Sequence, residues 1–180
     1  MKLTLIALSL TATALMAQPN IRYSNQQERI AQGVSSGQLT AAETSNLERK
    51  ESAIRQEVHT DRALNGGTLT PAERAQVNRQ DNRLSNQIYA DKHNANVQHY
   101  GANQVDARRY NQQQRIANGI SNGSLNAAEA SRLEHKQVAI NHEVHTDRAL
   151  NGGKLTPGER TVVNHQQNQM SRQIYRNKHN

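Results

Sequence analysis

The stretch His59-Thr60-Asp61-Arg62-Ala63-Leu64-Asn65-Gly66-Gly67 decides the reading of this chain, because it returns unchanged as His145 to Gly153. Its surroundings return with it. Leu69-Thr70-Pro71-Ala72-Glu73-Arg74 becomes Leu155-Thr156-Pro157-Gly158-Glu159-Arg160, and Lys92-His93-Asn94 becomes Lys178-His179-Asn180. The chain is thus a duplication, roughly 22–94 and 108–180, with a constant offset of 86 (59 to 145). A weaker repeat lies inside each half, where Gly37-Gln38-Leu39-Thr40-Ala41-Ala42-Glu43 matches Gly67-Thr68-Leu69-Thr70-Pro71-Ala72-Glu73. After each of these segments the apolar residues keep step: Leu47, Ile54 and Val58; Val77, Leu84 and Ile88; Leu133, Ile140 and Val144; Val163, Met170 and Ile174.

Steps of seven and four put each series on one stripe of an α-helix. The helix starts are marked by Thr40, Thr70, Asn126 and Thr156, each followed three residues later by Glu43, Glu73, Glu129 or Glu159. That is the capping-box pattern: the cap oxygen accepts from a first-turn N–H, and the Glu reaches back to the cap N–H. Pro71 and Pro157 stand at first helical positions, where a missing N–H costs nothing. Gly37, Gly67, Gly123 and Gly153 are placed to end the preceding helices in the left-handed conformation. The expectation is an all-α fold of two tandem three-helix units, with helices near 25–35, 41–64, 71–92, 111–121, 127–150 and 157–178.

Composition agrees. Phe, Trp and Cys are absent, Tyr occurs five times, and the polar residues are rich in Gln, Asn and Arg. Such a chain has narrow apolar stripes and little material for a large core. Lys2, the apolar run Leu3–Leu10 and small residues up to Ala17 form an export signal over 1–17, too short in its apolar part to span a bilayer. Cleavage before Gln18 is expected, with cleavage after Ala14 as the alternative. The rest divides into 18–94, a linker over 95–108, and 109–180. No second apolar run follows, so the mature chain is expected to lack a transmembrane segment and to be periplasmic or secreted, without disulfides.

Gly, any residue, Leu, Thr or Asn, two residues and Glu also resembles the second half of an EF-hand loop. The loops would run 32–43, 62–73, 118–129 and 148–159, paired within each half. The resemblance implies calcium held by Glu43, Glu73, Glu129 and Glu159. The loops depart from that family where its other ligands belong. First positions hold Gln32, Arg62, Asn118 and Arg148; third positions hold Val34, Leu64, Ile120 and Leu150; fifth positions hold Ser36, Gly66, Asn122 and Gly152. One carboxylate per loop is left, which suits weak calcium binding at most. An αα-hairpin with capping boxes accounts for the same residues. The mature chain is also similar to small secreted bacterial proteins with Gly-x-Leu-Thr-x-x-Glu repeats, a likeness that implies no established activity.

Among eight His, those at 135, 142 and 145 fall near one helix face, and His165 comes from the next helix. Imidazoles so placed are candidates for zinc, copper or nickel. Their counterparts Arg49, Gln56 and Arg79 read as solvated positions, whereas His59 and His145 recur beside Asp61 and Asp147 as helix-end residues. The formal charge is +7, and it is uneven: residues 18–98 carry ten basic and nine acidic side chains, residues 99–180 eleven and six. Arg108, Arg109, Arg172, Arg176 and Lys178 are the candidates for contact with an anionic polymer. Only Tyr100, Tyr110 and Tyr175 lie nearby, which argues against base stacking and nucleic acid. No Cys nucleophile, phosphate loop or Ser elbow is present. The expected function is therefore non-enzymatic: an exported helical-repeat protein acting through a protein or envelope partner or as a homodimer. It would need no cofactor beyond weakly held calcium or zinc. Metal binding and anionic-polymer binding are the alternatives.

Overall fold

The computed structural model describes residues 19–180. The export signal read over 1–17 lies outside them. Six helices follow in order: α1 Pro19–Ser36, α2 Ala41–Leu64, α3 Pro71–Lys92, α4 Gln104–Ser121, α5 Ala127–Leu150 and α6 Pro157–Lys178. The fold is all-α among the described residues.

All four boxes form. At the start of α2, Glu43 N–H donates to Thr40 Oγ1 at 3.3 Å and Thr40 N–H donates to Glu43 Oε2 at 2.9 Å. The same exchange opens α3, α5 and α6. Gly37, Gly67, Gly123 and Gly153 end the preceding helices with φ of 77°, 95°, 73° and 88°. Two expectations needed correction. Helix α1 begins at Pro19 rather than 25. Helix α4 begins at Gln104 rather than 111, so its first turns lie in the stretch read as a linker. Asn103 caps α4 by accepting from Asp106 N–H at 3.1 Å, a shorter form of the same signal with Asp in place of Glu.

The stripes close a core. Leu47, Ile54, Val77, Leu84, Ile88, Leu133, Ile140, Val144, Val163, Met170 and Ile174 belong to one buried cluster that draws on all six helices. The closest helix partnerships join the first three helices to the last three. Helices α2 and α5 cross where Ser45 Oγ–H donates to Ser131 O at 3.0 Å and Ser131 Oγ–H returns to Ser45 O at 2.9 Å. Helices α1 and α4 run antiparallel, Gln114 Nε2 donating to Ser35 O at 2.8 Å and Ser121 Oγ to Glu28 Oε2 at 2.7 Å. The connection after α3 is held as well: Gln98 N–H donates to Gly37 O at 2.8 Å.

With apolar stripes this narrow, polar side chains enter the interior. Gln27 Nε2 donates to Glu48 Oε2 at 3.0 Å, and Gln113 Nε2 to Glu134 Oε2 at 2.8 Å. Gln26 Nε2 reaches Asp81 O at 2.9 Å, and Gln112 Nε2 reaches Gln167 O at 2.7 Å. Each bond has its counterpart 86 residues on, so the sequence repeat is also a repeat of buried contacts.

Candidate functional site

Two clefts lie at repeat-equivalent places. The first, about 410 Å³, is lined by Tyr23 of α1, by Glu51, Ile54, Arg55, Val58, His59, Arg62 and Ala63 of α2, and by Val77 and Asp81 of α3. The second, about 670 Å³, is lined by Arg109 of α4 and by Asn141, His142, Val144, His145 and Arg148 of α5. It is closed from the other half by Thr40, Ala41 and Ala42 at the start of α2, and by Gln98 and His99. Arg109, Asn141, Val144, His145 and Arg148 stand where Tyr23, Arg55, Val58, His59 and Arg62 stand in the first cleft. The two equivalent clefts thus carry different chemistries.

The second cleft is cationic. Arg109 Nη1 donates to Asp106 Oδ1 at 2.9 Å, and Arg148 Nη1 to Asp106 Oδ2 at 3.2 Å. Arg148 Nη2 also reaches Asn103 Oδ1 at 3.1 Å. One carboxylate therefore serves two guanidiniums. Burial works against the Asp106 charge, but hydrogen bonds from Asn103 and Arg109 and the Arg148 charge outweigh it and hold its carboxyl below the usual range. Arg109 is 8% exposed, and its Nε finds no acceptor among the described residues. Thr40, Ala41 and Ala42 at the start of α2 border the same space, so the positive end of that helix dipole lies beside it.

The first cleft has an acidic floor. Glu51 is 2% exposed and Asp81 6% exposed. Burial pushes the Glu51 carboxyl up to about 7, and the Asp81 charge adds to this while Arg55 opposes it. Burial also raises Asp81, against the pull of Arg22. Arg55 lies over the Tyr23 ring, 3.9 Å from its centroid. In the second half the floor positions are Gln137 and Gln167, neutral amides of similar shape.

The expected site residues scatter. Glu43, Glu73, Glu129 and Glu159 sit at helix starts, engaged in their boxes. Glu43 also accepts from Asn94 and Asn96 at 2.8 and 3.1 Å, while Glu73 and Glu159 take both oxygens to Asn65 and Asn151. The Thr70 and Thr156 backbone N–H groups hold the carboxyls of Glu73 and Glu159 below the ordinary range. His142 and His145 meet in the second cleft, and His135 and His165 do not line it. Among the described residues no three His, Asp or Glu side chains are grouped to hold a metal ion.

Of the basic candidates, Arg109 alone lines the second cleft. Arg108 donates to Asn164 at 3.2 Å and to Asn168, and Lys178 Nζ lies 3.4 Å from Arg115 O. Arg176 borders a shallow basic depression with Arg132 and Lys136. Arg172 is exposed. Sequence reasoning missed Arg148 and His99 in the second cleft and Glu51 and Asp81 in the first. The signal available for the carboxyl pair was their replacement by Gln137 and Gln167 in the other half.

No family model, curated protein or solved structure matches this chain. No helix among the described residues is long and apolar enough to cross a membrane.

Proposed function

We propose that this is a non-enzymatic exported protein that binds anionic groups of an envelope component or partner protein in the cleft between α2, α4 and α5. The observation that carries this reading is the convergence of His99, Arg109, His142, His145 and Arg148 on one cavity beside the α2 N-terminus. Two Arg share a single Asp there, so the cavity keeps a positive balance. The reading places the protein in the periplasm or outside the cell, on the strength of the signal over 1–17. It treats 18–94 and 109–180 as tandem three-helix units of EF-hand-like hairpins, supported by the recurring buried hydrogen bonds.

Dextran sulfate serves as a test polymer. The mature protein should bind it at ~50 mM salt and lose most of its affinity by ~200 mM, as expected when a few counterions are released. Arg148→Gln together with His142→Gln should weaken binding severalfold at the lower salt with helicity unchanged. Salt-insensitive binding, or none, would sink this function.

Zinc or copper at His142 and His145 is the second reading, favoured by their meeting in one cleft. A micromolar zinc titration followed by heat and helicity tests it, with His142→Gln as the control.

A further inference from the structure

The carboxyl pair of the first cleft has no structural employment. The Glu51 side chain makes no hydrogen bond among the described residues, and its buried Oε2 has no partner although the residue lines an open cavity. Asp81 shares that floor, and its backbone oxygen, not its carboxyl, takes the bond from Gln26. Leaving the Glu51 carboxyl buried without a hydrogen-bond partner, beside a second carboxyl, is costly. The other half shows that the fold does not need them, since Gln137 and Gln167 fill the same places. A feature that costs stability and is dispensable to packing calls for a ligand.

The surroundings narrow its chemistry. A hard metal ion requires about six oxygens, and this floor offers two carboxyl groups beneath walls of Ile54, Val58, Ala63 and Val77. A primary ammonium needs fewer: its three N–H groups donate to carboxylate oxygens while its carbon chain lies against apolar walls. Arg55 and Arg62 border the same cavity, and among the described residues neither is ion-paired to a carboxylate. They would receive a carboxylate if the ligand carried one.

We propose that the cleft between α1, α2 and α3 is a binding site for a small primary ammonium compound, with Glu51 and Asp81 as the ammonium acceptors. Two sources share this chemistry, a plain alkylamine and a free amino acid, and they differ by the carboxylate that Arg55 and Arg62 would meet. The site is separate from the cationic cleft, so either can fail alone.

The test is calorimetry on the mature full chain at about pH 8, above the value of about 7 to which burial pushes Glu51, using n-butylammonium, L-leucine and n-butanol. Saturable binding of n-butylammonium or L-leucine with Kd at or below about 1 mM, and none of n-butanol, is the expected result. Tighter leucine binding identifies the amino acid as the source, and tighter n-butylammonium binding the plain amine. Glu51→Gln with Asp81→Gln, which copies the other half, should cut affinity at least tenfold while leaving the thermal midpoint equal or higher. Arg55→Asn, the residue of the second half, should weaken leucine alone. Equal binding of n-butanol, no binding of either amine up to ~10 mM, or unchanged affinity in the Gln variant overturns the proposal. The wild-type comparison of charged and neutral probes stands even if the double variant fails to fold.

Discussion

Glu48 and Glu134 occupy the same place in the repeat, and each is fully buried. Burial pushes both carboxyls up to about 8, against single hydrogen bonds from Gln27 and Gln113. Neighbouring Glu51 and Glu134 raise Glu48 further. Their environment explains why protonation is favoured. Among the described residues, eleven buried polar side-chain atoms have no partner; ten are oxygens and one is the Arg109 nitrogen, so this interior is short of donors. A proton on Glu48 or Glu134 supplies one. Glu48, Glu51 and Glu134 titrate near the ordinary value of 4.5 when unfolded and at about 7 to 8 when folded. Their contribution is therefore complete below about pH 4.5 and is lost as pH rises through 7 to 8. Glu43, Glu73, Asp106 and Glu159 work in the opposite sense: their carboxyls are held down, so their contribution fails as pH falls into the acid range. Stability should peak in mild acid. Urea unfolding should show at least about 2 kcal/mol more stability at pH ~5.5 than at pH ~8.5. Glu48→Gln with Glu134→Gln should flatten that slope chiefly by raising stability at the alkaline end. A wild-type profile level across this range would show that these carboxyls are not desolvated.

At the scale of the helix, four starts and five ends could be read to the residue, α1 alone ending one residue later than expected; Thr or Asn with Glu marks the starts, and a left-handed Gly follows the ends of α2, α4 and α5. The starts of α1 and α4 could not, since no Thr or Asn with Glu three residues on precedes α1, and at α4 Asp106 replaces the box Glu. A second feature escaped notice for want of a three-dimensional partner. Gly33 and Gly119 lie within helices, where glycine costs about 1 kcal/mol relative to alanine. A Cβ on Gly119 would stand 2.6 Å from Leu125 Cδ1 and 2.7 Å from its Cγ, and one on Gly33 would meet Leu39 at 2.6 Å. The glycines let each turn leucine fold back onto the helix that precedes it, a link secured by Leu125 N–H donating to Gly119 O at 2.9 Å. Gly119→Ala should then destabilise by about 1–3 kcal/mol through overpacking. Gly158, in the first turn of α6, has nothing within 4 Å of its would-be Cβ. Gly158→Ala, which copies Ala72, should stabilise by about 0.5–1 kcal/mol. Urea midpoints of the two variants moving in the same direction would refute this account of the turn.

For the molecule as a whole, the repeat was legible but the way its copies meet was not. Stripe periodicity names the residues that go inside; it does not say which helix faces which. Nor does it show that Glu48, Gln113 and Glu134 join them, for a polar residue on a helix reads as solvated until a partner is seen. The clefts escaped for the same reason, since Tyr23, Glu51 and Asp81 are brought together only by three separate helices. The α2–α5 crossing fixes the arrangement, and it can be trapped. Ser45 and Ser131 stand at equivalent repeat positions with their Oγ atoms 3.4 Å apart, a separation short enough to bring two sulfurs together after small side-chain adjustment. The chain contains no cysteine, so Ser45→Cys with Ser131→Cys introduces a single possible bridge. Oxidation should give one intramolecular disulfide closing a long loop, with faster migration on a denaturing gel and about 2–4 kcal/mol of added stability. The same bridge should leave both clefts open, because neither serine lines them. If oxidation instead gives only cross-linked dimers, α2 and α5 pair between chains, and the cationic cleft closed by Thr40 to Ala42 would then belong to a dimer interface.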